Sequence, residues 1–362
     1  MRPAWVEVDL DAVRANVRAT LGVLRGPTQL MAVVKADAYG HGAVPVARAA
    51  LEAGATWLGV ALPEEALQLR GAGLDCPVLV FGFSPPEAVV EGASRRVSFT
   101  VFSHQSLRAV VEASSRSPVG VTVHLKVDTG MTRVGFPPEE AVQVADLISQ
   151  TPGLHLEGVY THFASADTDR AFTEAQLRCF LKAVQALRAR GHHVPFVHAA
   201  NSAATFSLPV SHLDLVRVGI ALYGLSPGVP TPALRPAMRV VARAVQVRRV
   251  PEGTRVSYGG SYRTPHATTI VTVPVGYADG LPRGLSNRGF ACVQGQRVPY
   301  AGTVCMDFLM LDVGDLHVEE GEEVELLGSE VPAAELAGRC GTIAYEMVAR
   351  IGPRLPRVYR GA

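Results

Sequence analysis

Eight short β-rich runs alternate with helix-like segments over the first part of the chain, and this alternation restricts the possible folds more than any other feature. The runs are Leu30–Lys35, Thr56–Ala61, Pro77–Gly82, Val97–Phe102, Val119–Asp128, Leu154–His162, Pro195–Ala199 and Leu213–Val218. Between them, Leu107, Val110 and Val111 fall at helical spacing after His104. Ala141, Val144, Ala145 and Ile148 do so within Pro138–Gln150, and Phe172, Leu177, Phe180, Leu181, Val184 and Leu187 within Asp169–Arg190. Strand–helix alternation predicts right-handed βαβ units and a parallel sheet. Eight units in about 200 residues is the count of a closed (β/α)8 TIM barrel. The other architecture considered, an open doubly wound sheet, lacks support because no G-x-G-x-x-G follows the first strand.

Beyond about residue 230 the texture changes. Pro227, Pro230, Pro232 and Pro236 crowd the junction. Then come Met238–Val250, Thr268–Val275, Phe290–Val293, Phe308–Val313 and Glu322–Leu327, β-rich and with little helical periodicity. Two domains follow: residues 1–230 as the barrel and 231–362 as an all-β C-terminal domain. The first strand, about residues 4–10, precedes a helix at Asp11–Leu24 and is able to join either.

The 362 residues are too many for one ordinary core. A formal net charge of +1 and no basic block of five or more residues argue against nucleic-acid binding. No membrane span is expected, since no uninterrupted apolar stretch is long enough. The N-terminus carries acid early and lacks an apolar region of the signal-peptide kind, so a cytoplasmic location is expected. Cys76, Cys179, Cys292, Cys305 and Cys340 are widely spaced, with no C-x-x-C pair. They read as reduced thiols, with no metal site.

Barrel enzymes gather their chemistry at the C-terminal ends of strands. Here the first strand ends in Lys35, and Tyr39 follows in Lys35-Ala-Asp-Ala-Tyr39-Gly-His-Gly42. The fifth runs into Lys126-Val-Asp-Thr-Gly-Met-Thr-Arg133, the sixth ends at His162, the seventh at His198-Ala-Ala-Asn201-Ser202, and the eighth carries Arg217-Val-Gly219-Ile220. A lone lysine at a strand end is ordinary. Polar and basic groups at five converging ends are not, because each is costly to desolvate unless it binds something. A desolvated lysine amine attacks an aldehyde readily. The loops after strands seven and eight are where such barrels bind phosphate, and Asn201, Ser202, Gly219 and Ile220 suit that task. Lysine and phosphate site together suggest pyridoxal 5'-phosphate. An arginine, Arg217, in place of a carboxylate beside the pyridine nitrogen would keep that nitrogen unprotonated, which favours clean proton removal and return. Pairing of Arg217 to an acid, with Asp214 nearby in sequence, is the plain alternative. Proton exchange on both faces of a carbon needs a second acid–base group besides Lys35. The second domain offers tyrosines beside glycines at Tyr258 and Tyr277, and Cys305-Met306-Asp307.

These motifs resemble the alanine racemases. The matches are Val33–Gly42, Lys126–Arg133, Thr161-His162-Phe-Ala-Ser-Ala-Asp167, Val216–Ile220, Ser257-Tyr258-Gly259, Gly276-Tyr277-Ala-Asp-Gly280 and Cys305-Met306-Asp307, in family order over nearly the whole chain. The resemblance implies a homodimeric, cytoplasmic isomerase that interconverts L- and D-alanine with pyridoxal phosphate and supplies D-alanine for peptidoglycan. It implies that Lys35 holds the cofactor and is the base on one face, and that Tyr258 of a partner subunit serves the other. Arg217 would meet the pyridine nitrogen, with His162 linking it towards the tyrosine and His198 behind it. Tyr39, Ser202, Gly219 and Ile220 would hold phosphate; Arg133 and the partner's Met306 would bind the substrate carboxylate, with Tyr277 at the entrance and Asp307 in support. Lys126 would be carbamylated and orient Arg133, which replaces a like-charge pair by an opposite one. The chain departs from the family pattern at Pro353, where a second phosphate-binding tyrosine is expected within Ile351–Arg357, at Thr303 in place of arginine, and at Phe308 in place of glutamine. Other readings are a broader-specificity racemase, a related amino-acid decarboxylase, which Arg217 disfavours, and a non-catalytic cofactor carrier, which the second domain disfavours.

Overall fold

A computed structural model describes residues 2–361 as two compact units. One comprises Val13–Ala38 and Ala43–Arg235. The other comprises the chain up to Ala12, Tyr39–Gly42 and everything from Pro236 onward. The N-terminal strand β1 (Ala4–Asp9) therefore belongs with the C-terminal part of the sequence.

The first unit is a barrel of parallel strands: β2 (Gln29–Val33), β3 (Trp57–Val60), β4 (Val78–Val80), β5 (Val97–Val101), β6 (Val121–Lys126), β7 (Leu154–Tyr160), β8 (Phe196–His198) and β9 (Leu215–Val218). Their order around the sheet is β8-β7-β6-β5-β4-β3-β2-β9. The seam between β8 and β9 is bridged by Asp214 N–H to Val197 O (3.1 Å) and Arg217 N–H to Ala200 O (3.0 Å), so the barrel is nearly closed. The strands are buried along almost their whole length, as expected where helices cover the outside. Met31, Trp57, Leu79 and Leu215 form an apolar cluster, with Phe81 and Phe196 packed against it.

The covering helices obey local rules. His104–Arg116 starts at Ser103, whose hydroxyl accepts the Ser106 amide, and buries Leu107, Val110 and Ala113. Val111, placed by spacing on the apolar face, is instead 38% exposed. Arg170–Ala189 is capped by Asp169, which accepts from the Phe172 amide at 2.9 Å.

The second unit holds two main sheets. β10 (Met238–Arg243) and β11 (Gln246–Val250) come from the single run expected at Met238–Val250, and they lie in different sheets. The break has a physical basis: Val240, Val241 and Ala242 are buried on both faces of β10, whereas β11 is mostly solvated. A small ribbon, β12 (Arg255–Val256) and β13 (Tyr262–Arg263), precedes β14 (Thr268–Val273). Then follow β15 (Phe290–Val293), β16 (Gln296–Pro299), β17 (Leu309–Asp312), β18 (Glu323–Leu327) and β19 (Arg357–Arg360). The larger sheet runs β16-β15-β18-β10-β1-β19 and the smaller β11-β14-β17. β1 lies antiparallel to β10, with Trp5 opposite Val241, and parallel to β19. The unit is sheet-rich but not purely β. Helices Ala333–Arg339 and Ala344–Ala349 interrupt it, each too short for periodicity to show.

Candidate active site

Lys35 follows the last residue pairs of β2, and its surroundings make its amine a poor proton holder. Burial, with Arg133 adding repulsion, lowers its pKa below the ordinary lysine value, Glu65 acting weakly the other way. The backbone beyond it turns left-handed: Ala36, Asp37, Ala38 and Tyr39 have φ of 52°, 52°, 53° and 53°. None is glycine, and each such residue costs about 1–2 kcal/mol in this region. The conformation is held by local bonds. Glu65 accepts the Ala36 amide at 2.6 Å with one carboxylate oxygen and the Ala61 and Leu62 amides, at 2.7 and 3.1 Å, with the other. Asp37 accepts the Ala43 amide at 2.7 Å, and the Ala38 amide reaches Val34 O at 2.8 Å. Strain of this kind is characteristic of functional sites.

Arg217, on β9, is buried. Its Nη1 donates to His198 Nδ1 at 2.9 Å, and its Nη2 donates to Thr161 O (2.7 Å), Ala199 O (3.1 Å) and His162 Nδ1 (3.4 Å). No carboxylate lies in ion-pair range of it among the described residues. Asp214, the acid considered from sequence, instead accepts the Val197 amide at 2.8 Å. Burial draws the Arg217 pKa down to about 10, still charged at neutral pH. Burial and the Arg217 charge together hold His162 and His198 well below the usual imidazole pKa, hence neutral. The Tyr160 ring stacks on His198, with centroids 4.7 Å apart, and also lies under the Arg217 guanidinium at 5.0 Å.

Lys126, at the end of β6, is buried, with its side-chain nitrogen 5.7 Å from the Tyr160 ring centre. Burial first, then Arg133 and Arg217, pull its pKa down to about 7. The loop leading to Arg133 is shaped by Asp128, one oxygen of which accepts the amides of Gly130, Met131 and Thr132 at 3.0, 2.9 and 3.1 Å. Arg133 itself is exposed. On the other side of the mouth, Asn201 caps Ser202–Ser207 by accepting the Ala204 amide at 3.0 Å. Ser202 Oγ meets the Gly219 amide at 3.0 Å, and Ile220 opens the next short turn. Lys35, Lys126, Arg133, His162, His198, Asn201, Ser202, Arg217, Gly219 and Ile220 thus all belong to the barrel unit. The donor set fits pyridoxal phosphate: a desolvated amine for the aldehyde, a hydroxyl touching a backbone N–H for the phosphate, and a buried guanidinium for the ring nitrogen.

The remaining residues lie in the second unit. Tyr258 is 74% exposed and follows Ser257, whose φ is 66°. Ser257 Oγ donates to Thr303 O (2.7 Å) and Thr303 Oγ1 donates to Tyr258 O (3.3 Å), so the threonine at the family's arginine position helps to hold this turn. The Tyr277 amide donates to Cys305 O at 2.9 Å and the Ala278 amide to Met306 O at 3.1 Å. A Cβ at Gly276 would overlap the Cys305 and Met306 carbonyls, so glycine is required for that approach. Beneath, the buried Asp279 binds Arg2 at 2.6 and 2.7 Å and the Gly276 amide at 2.9 Å, while Arg354 joins Asp307 at 2.6 Å. Tyr277, Met306 and Phe308 are exposed with Tyr258. Tyr39 is half-buried, and burial raises its pKa well above the phenol value. Its ring lies 6.4 Å from that of Tyr345, a residue that no sequence motif singles out. Pro353 supplies no phenol at the position where relatives carry a second phosphate-binding tyrosine, and Tyr345 lies eight residues earlier, in Ala344–Ala349.

Among the described residues no helix is long and apolar enough to cross a membrane, and no cluster of three His, Cys, Asp or Glu side chains could hold a metal.

Residues 8–227 match the family model for the alanine racemase N-terminal domain, and residues 237–359 that for the C-terminal domain. A curated alanine racemase of Desulfovibrio desulfuricans is 45% identical over 99% of this chain and 98% of its own length. One of Thermobifida fusca is 43% identical over 99% and 98%. Among solved structures, alanine racemase from Streptomyces lavendulae superposes with a TM-score of 0.93 at 41% identity, covering 100% of this chain and 98% of that one. The Bacillus anthracis alanine racemase, solved with bound L-Ala-P, gives 0.94 at 39%, covering 99% and 95%. With both domains matched and the strand-end residues in place, the chain belongs to the alanine racemase family.

Proposed function

We propose that the chain is an alanine racemase that interconverts L- and D-alanine with pyridoxal phosphate, using Lys35 and Tyr258 as the two acid–base groups. The observation that carries this is Arg217: a buried guanidinium without a carboxylate partner among the described residues, at the mouth that also holds a desolvated lysine. A decarboxylase needing a full electron sink would place an acid there.

When bound, the cofactor withdraws electrons from the substrate Cα and makes its hydrogen acidic. Lys35, biased towards the neutral amine by burial, takes or returns a proton at Nζ on one face. The Tyr258 hydroxyl does so on the other. Its exposure suits delivery to a second copy of the chain, giving a homodimer with shared sites. Arg217 would face the ring nitrogen of the bound cofactor as a donor, without supplying a proton to it. Ser202, Gly219, Ile220 and Tyr39 would hold the phosphate, with Asn201 shaping the turn; His162 and His198 fix Arg217. Arg133 and Met306 bind the substrate carboxylate, with Tyr277 and Asp307 bounding the entrance. Lys126, with its pKa near 7, is available as a neutral amine for carbamylation, and the resulting anion orients Arg133. The product serves peptidoglycan synthesis in the cytoplasm.

The test is racemisation of a panel of amino acids by purified protein supplied with the cofactor. Alanine should equilibrate from either enantiomer. Serine should be slower, since one added group in a small pocket is worth about 1–3 kcal/mol. Carbon dioxide release from a basic amino acid, or cofactor binding without racemisation, would overturn the proposal. Equal turnover of larger amino acids would replace it with a broader-specificity racemase.

A further inference from the structure

Behind Arg217 the barrel interior holds a continuous hydrogen-bonded chain. Arg217 Nη1 meets His198 Nδ1 at 2.9 Å, His198 Nε2 meets His124 Nδ1 at 2.9 Å, and His124 Nε2 meets a Glu157 carboxylate oxygen at 3.0 Å. Ser98 Oγ donates to the same oxygen at 2.7 Å. Both histidines are wholly buried. Arginine can only donate, so His198 Nδ1 is an acceptor and its Nε2 carries the hydrogen. That hydrogen goes to His124 Nδ1, and the His124 Nε2 hydrogen goes to Glu157. Every link therefore points the same way, from the guanidinium to the carboxylate, and every imidazole nitrogen is satisfied.

Two features of the fold serve this chain. The parallel pairing of β6 with β7 steps from Val123–Leu156 to His124–Gly158, which leaves Glu157 as the inserted residue of a bulge. Bulges re-aim side chains and are rare between parallel strands. Next to it, a Cβ on Gly158 would overlap the His124 ring, so glycine makes room for that histidine. Burial pushes the Glu157 carboxyl upward, yet the hydrogen bonds from His124 and Ser98 hold it below the usual value, so the carboxylate stays charged.

We propose that Glu157 is the remote counter-charge of Arg217 and a positioning residue for the reaction, acting through His124 and His198 to fix the tautomer behind the guanidinium and the strength of its outward donor. This deepens the racemase reading and, for its effect on turnover, rests on it. Carboxylates behind metal-bound histidines act in the same manner, and losing one typically costs about 10–100-fold in affinity or activity.

The experiment compares Glu157→Gln and Ser98→Ala in the full holoenzyme by nitrogen-15 and proton NMR of the imidazoles, alongside kinetics with L-alanine. Glutamine retains an acceptor for His124 but removes the charge. It should weaken the His124 and then the His198 hydrogen bonds and shift both sets of resonances. It should also lower kcat about tenfold with KM changed less than about twofold. Ser98→Ala removes one donor from the carboxylate and makes it a stronger acceptor, so the His198 resonances should move in the opposite direction. If His198 is unmoved in both variants, or moves in the same direction in both, the relay is overturned. A fall in melting temperature with His198 resonances and kcat unchanged also overturns it, as it marks a merely structural role. Should the glutamine variant fail to fold, the Ser98→Ala shift at His198 decides alone. The imidazole signals are read without turnover, so failure of the relay is distinguishable from failure of alanine as the substrate.

Discussion

Glu65 holds the amide of Ala36, the residue directly after Lys35, at 2.6 Å. Its other oxygen ties down the end of β3, so one carboxylate joins two strand ends and fixes where the left-handed turn begins. Glu65→Ala should leave three amides without this acceptor. A loss of about 2 kcal/mol is expected, since partly exposed amides recover some bonding from water. Chemical denaturation reads the stability loss, and kcat should fall with it because Lys35 loses its fixed exit from the strand. Unchanged stability and unchanged kcat would refute the clamp.

Arg217 makes four directed contacts that a point charge does not reproduce. Arg217→Lys should retain the positive charge yet leave buried acceptors unmatched. A drop in kcat of about 10²–10³ is expected, the cost of losing one preorganised donor. Steady-state racemisation measures it; a loss below about tenfold would show that charge alone suffices.

If Tyr258 acts in the site of a second copy, two dead variants should repair one another. Lys35→Ala and Tyr258→Phe subunits, mixed equally and allowed to exchange, should form heterodimers in half the population, each with one intact site. Recovery of about a quarter of full activity is expected for random pairing in a twofold dimer. No recovery after verified exchange would show that each site is built from one chain.

Lys126 offers a pH signature. Its pKa is about 7 in the folded chain against an ordinary value of 10.5. Between those values the unfolded chain binds more protons, so stability of the unmodified protein rises with pH across that window. The slope is about 1.4 kcal/mol per pH unit for one proton. Below about pH 7 both states hold the proton and the buried charge exerts its full penalty. Denaturation of carbon dioxide-free protein at pH 7, 8 and 9 should show this slope, and Lys126→Gln should lack it. With carbon dioxide supplied, carbamate seen by carbon-13 NMR should fill as the pH rises through 7 and empty below it.

The barrel is legible in the sequence because its strands are continuous apolar runs, and the candidate site residues sit where those runs stop. Lys35, Lys126 and Arg217 are found by asking what each strand ends in. Other features leave no mark of that kind. Ala36 to Tyr39 contain no glycine, so their left-handed turn arises from the surrounding bonds and not from local preference. The break at Ala244–Val245 depends on which sheet covers which face, and that is tertiary information. His124 and Glu157 read as ordinary strand residues, and only the one-residue bulge at Glu157 and its bond to His124 single them out. Tyr345, whose ring lies near that of Tyr39, sits on a six-residue helix too short to show a period.

The place of β1 between β10 and β19 has a consequence for how the molecule is made. A strand made before the barrel waits for both of its neighbours, which are synthesised after residue 237, with the whole barrel in between. The larger sheet of the second unit is therefore completed only once β19 has been made, and its closing contacts join strands separated by the whole barrel. A fragment beginning at Pro236 would leave β19 without its partner and expose the edge of β10, an open template for pairing with other chains. The sheet-rich unit is contiguous to a sequence model but not to a folding chain.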